Sequence, residues 1–488
     1  MSEDNPFSKR INDGKIYNPI AIVGIIFFSV LLSFIVANED LSISIIIISI
    51  PLILIFLNRF FNNLTMGLSF VFVVNFMLMG LSRYLPIPSM GTILDALLIL
   101  LYIAFFFKHF YKNIDTTILK NDLVYLSLIW FGYIVLEIAN PEAKSVNAWF
   151  TSMRGEALYM LLIIPLIYLI YNKPKNLDTF LLIWGIFTIL ASLKGAQQLL
   201  IKPDAWEQAW LDQGAAKTHV LWGKLRVFSF FTDAGQFGAS QGQSGVVGTL
   251  LYFNTKNKKM KFFWLIVALM GFYGMSISGT RGAIAVPAAG FFIYIFLKKN
   301  IRVIIIGLSV MMAIFVFFKF TTIGNNNYQI NRMRTAFDSD DASLNVRLQN
   351  QILFANYLKS RPFGGGVGHA GDRAQKFVPN GYLANIATDS WYVMIWAECG
   401  IVGLYLHLFI LFYIVGKGSY IIMFQIKDKE LAGKLSALMA GLFGIIAASY
   451  GNMVLGQFPT HLLCFSSMAF IFLGTKLDKD LSLEKNTK

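Results

Sequence analysis

Residues 387–408 read ATDSWYVMIWAECGIVGLYLHL, a short polar turn that runs directly into an apolar stretch. A membrane-spanning helix needs about 20 mostly apolar residues, so the stretch predicts a span that begins close to Ser390. The turn closes residues 320–388, the longest polar interruption of the chain, which also contains RPFGGGVGHAGDR at 361–373. The pattern therefore predicts a helical membrane protein with one large loop outside the bilayer.

The composition supports this fold class. Of 488 residues, 56% are hydrophobic and 14% are charged, whereas soluble domains carry about 25% charged residues. The formal charge of +14 is explained by lysines in short loops between apolar runs, as the positive-inside rule predicts. We therefore expect contact with a lipid bilayer and no binding of nucleic acid. Cys399 and Cys464 lie in apolar stretches without the spacing of a metal site, so no metal is expected.

The apolar runs predict about 12–14 transmembrane helices in an all-α, polytopic fold. The candidate runs lie near 18–37, 41–57, 64–81, 90–107, 123–139, 155–171, 178–201, 236–254, 262–279, 282–297, 303–319, 390–415, 433–451 and 455–474. If the N-terminus is cytoplasmic, nearly every lysine cluster and the C-terminal tail also fall on that side. Segments 38–40, 82–89, 140–154, 202–235, 280–281 and 320–388 are then extracytoplasmic.

The outer loop 320–388 carries arginines and two local patterns. Guanidinium groups are the best protein donors for phosphate oxygens, so the loop predicts a phosphate-bearing, lipid-linked substrate. In residues 343–362, apolar side chains recur at helical spacing and predict an interfacial helix that ends at Pro362. These side chains are Leu344, Leu348, Ile352, Leu353 and Tyr357. The glycine run at 363–371 predicts a flexible backbone with free N–H groups.

Three motifs, taken in order, resemble a known family. They are LRVFSFFTDAGQFGA at 225–239, SISGTRGAIAVPAAG at 276–290, and RPFGGGVG followed by DSWYVMIWAECGIVG at 389–403. Their order and spacing against the predicted spans resemble the O-antigen ligase and Wzy-type polymerase superfamily over roughly residues 226–415. The chain then divides into an N-terminal transmembrane region (1–235), a ligase- or polymerase-like core (236–415) that includes loop 320–388, and C-terminal helices with a cytoplasmic tail (416–488).

The resemblance implies a membrane glycosyltransferase. Its donor would be an undecaprenyl-diphosphate-linked oligosaccharide, and its acceptor a hydroxyl of another sugar, of lipid A or of a protein. The implied location is the bacterial inner (cytoplasmic) membrane, with both termini cytoplasmic and the active face periplasmic. The family implies no cofactor and no metal, and other envelope polysaccharide assembly proteins are further expected partners.

One motif position departs from the family. The ligase motif places a His before a small polar residue, nine further residues and Gly-x-x-Gly. Here Ser390, Gly400 and Gly403 fit, but the His position is Asp389. A carboxylate can also accept a hydroxyl proton, so Asp389 is the predicted general base. The departure favours a polymerase over a ligase.

The remaining candidate residues follow from charge and position. Arg154, Arg226, Arg281 and Arg347 are expected to hold the diphosphate, because fixed cations stabilise charge that develops on a leaving group. Lys194, a charge inside a span, joins them as a substrate-binding candidate, with snorkelling to the interface as the alternative. His369 is the alternative base, and Glu398 is expected to orient an arginine or the acceptor.

Three alternatives stay open from the sequence. A polytopic transporter or lipid-linked glycan flippase would carry charges at mid-membrane depth, whereas most arginines here cluster at one predicted face. Within the superfamily, an O-antigen ligase or a protein O-oligosaccharyltransferase competes with a surface polysaccharide polymerase. A catalytically silent scaffold for envelope assembly is the third.

Overall fold

The computed structural model describes residues 23, 26, 29, 41–85, 90–112, 114–221, 223–326, 328–335 and 342–486, and this part of the chain is helical almost throughout. Its single sheet is an antiparallel hairpin of Val220–Leu221 (β1) and Lys224–Leu225 (β2). The α-helices are Leu41–Asn62 (α1), Leu64–Leu81 (α2), Gly91–Lys112 (α3), Asp122–Leu136 (α4), Val146–Met153 (α5), Tyr159–Ile170 (α6), Pro174–Leu200 (α7), Ala205–Trp210 (α8), Ala216–His219 (α9), Ala234–Asn254 (α10), Lys258–Ile277 (α11), Ala285–Leu297 (α12), Ile301–Phe320 (α13), Tyr328–Arg334 (α14), Ala342–Leu358 (α15), Trp391–Tyr420 (α16), Lys429–Ala448 (α17), Thr460–Phe472 (α18) and Gly474–Asn486 (α19). The predicted all-α class is confirmed.

The chain forms two units by contact, Met1–Gly67 and Leu68–Lys488. The described part of the first unit is chiefly α1, which contains Pro51. The second unit holds every candidate site residue.

The helices agree with the predicted membrane spans over most of the chain. Nine helices in the described residues are long and apolar enough to cross a bilayer, and the bent pair α18–α19 adds a tenth if it forms one span. These helices confirm a multi-pass membrane protein. The predicted run 41–57 falls within α1. The predicted run 18–37 lies outside the described residues, apart from positions 23, 26 and 29.

Helix α10, which contains the predicted run 236–254, is less hydrophobic than the other predicted spans. It carries glutamines and serines, yet Gln236, Gln241 and Gln243 are all at most 1% exposed. It packs between α11 and α17. A Cβ added to Gly271 of α11 would lie 2.6 Å from the backbone nitrogen of Gly245, so small residues permit this close approach. A helix surrounded by protein needs no apolar face toward lipid, which explains its polar sequence.

The connecting segments of the second unit gather at two ends. At one end, Arg83 donates to the carbonyl oxygens of Ser229 and Phe231. We call this the loop end; it comprises residues 82–85, 140–154, 202–235, 321–390 and 449–459 as far as they are described. At the other, the lysine end, Lys434 pairs with Asp178 at 2.6 Å.

The outer loop contains the predicted helix, α15, but buries a different face. Phe354 and Leu358 are buried and pack in a cluster with Leu383 and Ala397. Of the predicted stripe, Tyr357 packs against this cluster, whereas Leu348, Ile352 and Leu353 are exposed on the described surface. The sequence offers two apolar stripes at helical spacing, and most of the predicted stripe lies outside the packed cluster. The buried stripe continues to Arg347, so packing of α15 sets the position of that arginine.

Candidate functional site

Asp389 lies at the loop end, directly before α16. Ser390 caps α16 by accepting a hydrogen bond from the backbone N–H of Val393. Asp389 itself has φ of +50°, a left-handed backbone that costs a non-glycine residue about 1–3 kcal/mol. Strain of this kind concentrates at functional sites, because a well-ordered surrounding must hold it in place. The left-handed backbone and the sequence motif therefore both indicate Asp389 as a functional residue.

Arg347 on α15 is the cation nearest to Asp389. Its Nε lies 3.9 Å from Oδ2 of Asp389, with the two side chains 35% and 45% exposed. Such a long, solvated ion pair contributes about 0–1 kcal/mol. The same Nε donates no hydrogen bond within the described residues. The pair is weak enough to open for a stronger anion, so this geometry would allow Arg347 to bind an anion and Asp389 to accept a proton.

Three further arginines meet at the turn 279–281. Nη2 of Arg226 donates to Oγ1 of Thr280 at 3.1 Å, and Nε of Arg332 donates to the carbonyl oxygen of Gly279. The positive charges of Arg332 and Arg347 both act on the guanidinium of Arg281. We call Arg226, Arg281, Arg332 and Arg347 the arginine cluster. Neighbouring guanidinium groups repel one another, and an anion bound among them offsets that repulsion.

Two cavities adjoin the arginine cluster. The first, the Asp389 cavity, has a volume of about 160 Å³ and is lined by Asp233, Gly235, Gln236, Asp389, Asn452, Met453, Val454 and Gln457. The second has a volume of about 500 Å³ and is lined by Leu199, Lys224, Leu225, Arg226, Ile277, Gly279, Asn326 and Gln329. The turn 279–282 links them: Gly279 lines the second, and a Cβ on Gly282 would lie 2.9 Å from Nδ2 of Asn452.

Helix geometry shapes the Asp389 cavity. Helix α10 begins beside it, with Asp233 capping the backbone N–H of Gln236, and α16 begins directly after Asp389 and its neighbour Ser390. Both helices turn their positive dipole ends toward this region. The cavity is therefore polar, although it lies at the edge of an apolar bundle.

His369, the alternative base, has both ring nitrogens engaged with the backbone. Nε2 accepts the N–H of Ser145 at 3.0 Å. Nδ1 lies 2.9 Å from the carbonyl oxygen of Val367, which makes it the protonated nitrogen. The ring is 6% exposed. A neutral histidine held in this way fixes the glycine segment against residues 140–154, and it has no lone pair left to accept a substrate proton.

The glycine segment 364–371 was predicted to offer free N–H groups, and that prediction is wrong. The segment is buried throughout. Gly365 and Gly366 donate to the carbonyl oxygens of Ala397 and Glu398. The carboxylate of Glu398 accepts the N–H groups of Gly368 at 2.8 Å and Ala370 at 3.3 Å. Glu398 therefore supports this segment, and we find it bonded to backbone rather than beside the arginine cluster.

Gly400, a glycine of the ligase motif, allows the glycine segment to pack closely against α16. Its φ of +67° breaks the helical geometry inside α16. A Cβ there would lie 2.0 Å from the carbonyl oxygen of Pro362. Gly403 packs against Tyr133, whose hydroxyl donates to the carbonyl oxygen of Cys399 at 2.7 Å. The two motif glycines thus serve packing, and Asp389 at the head of the motif is the position that reaches the cavity.

Two other candidate cations lie in ion pairs within the protein. Arg154 pairs with Asp95 at 2.8 Å. Lys194 pairs with Asp204 at 3.0 Å and Glu207 at 3.1 Å, both in the loop 202–235. Burial would raise the pKa of Asp204, but hydrogen bonds from Tyr84, the backbone of Glu207 and Lys194 lower it. These pairs fasten loop-end segments to the bundle, so neither cation is placed with the arginine cluster.

Three residues of this site are not among the candidates that the sequence predicts. Arg332 is one of several arginines in the outer loop, and spacing along the chain does not predict its contact with Gly279. Gln236 and Asn452 lie in polar breaks of apolar stretches, in FTDAGQFG and SYGNMVLG. For Gln236 and Asn452, the sequence signal is a polar side chain at the end of a predicted span.

The arrangement combines an anion-binding cluster with a carboxylate beside a polar cavity. Among the described residues, no group of three His, Cys, Asp or Glu side chains is placed to hold a metal ion. A third, charged cavity of about 550 Å³ lies at the lysine end, where Lys485 pairs with Asp428 at 2.6 Å. It is remote from Asp389, so the loop end is the candidate active site.

Comparison with known proteins agrees with the motifs. A family model described as O-antigen ligase matches residues 265–408, which contain Arg281, Arg332, Arg347 and Asp389. The chain is also similar to an O-antigen polymerase of Salmonella muenchen, with 25% identity over 338 residues, 66% of this chain and 81% of that protein. These matches confirm the resemblance to the O-antigen ligase and Wzy-type polymerase superfamily and support a glycosyltransferase-type enzyme.

Proposed function

Starting from a multi-pass membrane protein that resembles O-antigen ligases and polymerases, we propose that this chain extends a surface or O-antigen polysaccharide. It transfers glycan from an undecaprenyl-diphosphate-linked donor to a sugar hydroxyl of the acceptor chain. The observation that carries this proposal is the arginine cluster beside Asp389, with Arg347 only 3.9 Å from the carboxylate. A diphosphate leaving group needs fixed cations, and a hydroxyl nucleophile needs a base, within reach of one another.

The reaction balances with the groups present. The acceptor oxygen forms a bond to the anomeric carbon of the donor, and the bond from that carbon to the phosphate oxygen breaks. The acceptor proton passes to Asp389, and undecaprenyl diphosphate leaves with the bond's electron pair. A single displacement of this kind inverts the anomeric configuration. The arginine cluster stabilises the charge that grows on the departing phosphate.

Polymerisation is favoured over ligation or protein O-glycosylation by two observations. Asp389 stands where the ligase motif has His, and the similar curated protein is an O-antigen polymerase. A ligase or protein O-oligosaccharyltransferase remains the second candidate, because the matching family model is described as O-antigen ligase.

A transporter or flippase is disfavoured by the positions of the charges. Lys194 and Arg154 are paired with carboxylates, and the arginine cluster lies at the loop end rather than along the middle of the bundle. Transport of a charged substrate needs charges at mid-membrane depth.

The lysine pattern supports the sidedness in this proposal. Loops at the lysine end carry the positive charge expected of the cytoplasmic side. The loop end then faces the periplasm of the bacterial inner membrane, where lipid-linked glycan and acceptor meet. We propose that both termini are cytoplasmic, as the lysine pattern favours.

The test is the glycan banding pattern of cells that lack this protein, complemented with wild type, Arg347→Ala or Asp389→Ala. We expect single repeat units in the deletion strain and in both variants, and a long-chain ladder only with wild type. Long chains that stay on the lipid carrier would instead indicate a ligase or protein glycosyltransferase. Absence of glycan from the outer face would favour the transporter.

A further inference from the structure

The Asp389 cavity is too small for a lipid-linked glycan and unsuited to an anion. Its volume of about 160 Å³ is below the roughly 300–1,000 Å³ of sites for drug-sized ligands. Its polar lining consists of the carboxylates of Asp233 and Asp389 and the carboxamides of Gln236, Asn452 and Gln457. Carboxylates repel phosphate, so the diphosphate belongs with the arginine cluster and not here.

Gln236 supplies an independent indication of a ligand. Its side chain is fully buried, and its Oε1 has no hydrogen-bond partner among the described residues. The orientation of the amide is fixed from the other side. Nε2 lies 2.7 Å from Oγ1 of Thr460 and 3.2 Å from the carbonyl oxygen of Gln457. A buried carbonyl oxygen without a donor costs about 1–3 kcal/mol, so a ligand that donates a hydrogen bond is favoured at this place.

The groups around the cavity favour a neutral ligand that donates hydrogen bonds. Oδ1 of Asp233 already accepts the backbone N–H of Gln236 at 2.9 Å. A divalent cation, which requires several uncommitted oxygen ligands, is therefore less suited than a hydroxyl. A monosaccharide offers several hydroxyls within the span of one small cavity.

We infer that the Asp389 cavity is the acceptor subsite and holds the terminal sugar residue of the acceptor chain. Gln236 and Asn452 bind hydroxyls of this residue, and the hydroxyl that reacts lies against Asp389. The inference rests on the proposed function, since it assigns one substrate of that reaction to one part of its site.

The test measures binding and turnover separately on the full-length protein in lipid nanodiscs. The probe is the repeat-unit oligosaccharide released by mild acid from the host's lipid-linked intermediate, which carries no diphosphate. We compare wild type with Asn452→Ala and Gln236→Met. Asn147→Ala serves as the matched control, since Asn147 is exposed on α5 at the same end. Thermal unfolding of each variant identifies loss of fold. Gln236→Met is the variant more at risk of this loss, because Nε2 of Gln236 also donates hydrogen bonds to residues 457–460.

We expect the Kd of the oligosaccharide to rise about fivefold in each cavity variant, the size expected for loss of one neutral hydrogen bond. The KM for lipid-linked donor should stay within about twofold of wild type, and Asn147→Ala should match wild type in both. An unchanged Kd in folded Asn452→Ala overturns the subsite. So does a raised donor KM with unchanged Kd, or oligosaccharide binding that EDTA abolishes.

The outcomes for subsite and function can be told apart. Wild type that binds the oligosaccharide through Asn452 but transfers nothing would retain the subsite and reject the proposed function. Wild type that elongates chains while Asn452→Ala binds and elongates normally would retain the function and reject the subsite.

Discussion

The glycine segment 364–371 and the region around Asp389 carry the two motifs most prominent in the sequence, yet they differ in how their polar groups are satisfied. In the glycine segment, Gly365, Gly366, Gly368 and Ala370 donate their N–H groups to residues 397–398 of α16. Around Asp389, Nε of Arg347 forms a long ion pair with the carboxylate, and neither this Nε nor Oε1 of Gln236 has a hydrogen-bond partner among the described residues.

This contrast separates scaffold from site. Buried polar groups are normally hydrogen-bonded, and exceptions call for an explanation such as catalysis or a ligand. The segment with satisfied groups holds α16 and residues 140–154 in place. We expect the region with unsatisfied groups and a strained backbone to be the part that binds a ligand.

The largest effect is expected for Asp389→Asn. Asparagine keeps the size of the side chain and tolerates the left-handed backbone, but it cannot accept the acceptor proton. General-base catalysis is worth about 10²–10⁴-fold in rate, so transfer should fall by that factor while the protein stays folded. Initial rates of chain elongation in membranes measure this. Full activity of the Asn variant would remove Asp389 from the mechanism.

Asp389→His is the companion variant, because it replaces the carboxylate by another side chain that can act as a base. Imidazole has an unperturbed pKa of about 6.5 and a carboxyl group one of about 3.9. The His variant should retain measurable transfer that declines as pH falls through about 6.5. A variant as inactive as Asp389→Asn at every pH would argue that the carboxylate acts through its charge and not as a base.

Gly400→Ala should affect folding rather than binding. Its Cβ would lie 2.0 Å from the carbonyl oxygen of Pro362, at a φ of +67°. Forcing a non-glycine residue into this conformation costs about 1–3 kcal/mol before the clash is counted. We expect a lower midpoint of thermal unfolding in detergent and less folded protein in membranes.

Gly416→Ala is the control, because a Cβ there meets nothing within 4 Å. It should be neutral or stabilising by up to about 1 kcal/mol, since alanine favours helix over glycine. Equal unfolding midpoints for the two variants would contradict the role given to Gly400.

Arg347→Gln is expected to weaken donor binding. Hydrogen bonds to charged groups contribute about 1.5–3 kcal/mol, which corresponds to a rise of about 10–100-fold in the KM for the lipid-linked donor. Arg361→Gln is the matched control: it lies in the same loop but pairs with Glu142 at 2.9 Å. A similar rise in both variants would mean that the loop's overall charge, and not the arginine cluster, attracts the donor.

Lys194→Met should have the smallest effect, on stability alone. Its partly exposed pair with Asp204 and Glu207 is worth about 1 kcal/mol or less. Because the pKa of Asp204 is lowered in the folded protein, its stabilising contribution is present above the ordinary pKa of the carboxyl and is lost as pH falls through the lowered value. The difference in unfolding midpoint between variant and wild type should therefore be visible at neutral pH and shrink in acid. A marked rise in donor KM would instead place Lys194 in the site.

The sequence predicted well what depends on neighbours along the chain. Apolar runs predict most of the spans, and the helical period together with Pro362 predicts α15. It predicted poorly what depends on distant partners. The N–H groups of the glycine segment appeared free because their acceptors lie on α16, and the buried face of α15 is chosen by residues 370–397. Asp389 was selected from the motif, whereas Asn452 came to the same cavity from over 60 residues further along the chain.

The left-handed backbone at residue 389 also restricts which substitutions evolution can accept there. Among non-glycine residues, Asn, Asp and His are the types enriched in this conformation, and of these only Asp and His serve as bases near neutral pH. Asp389, which stands where the ligase motif has His, is therefore a conservative difference in a sense that residue similarity scores do not record. Asp and His both suit the left-handed backbone of residue 389 and the proton transfer that we propose for it. A motif search that demands His passes over chains like this one, and a search that allows either residue before Ser and the spaced glycines retains them.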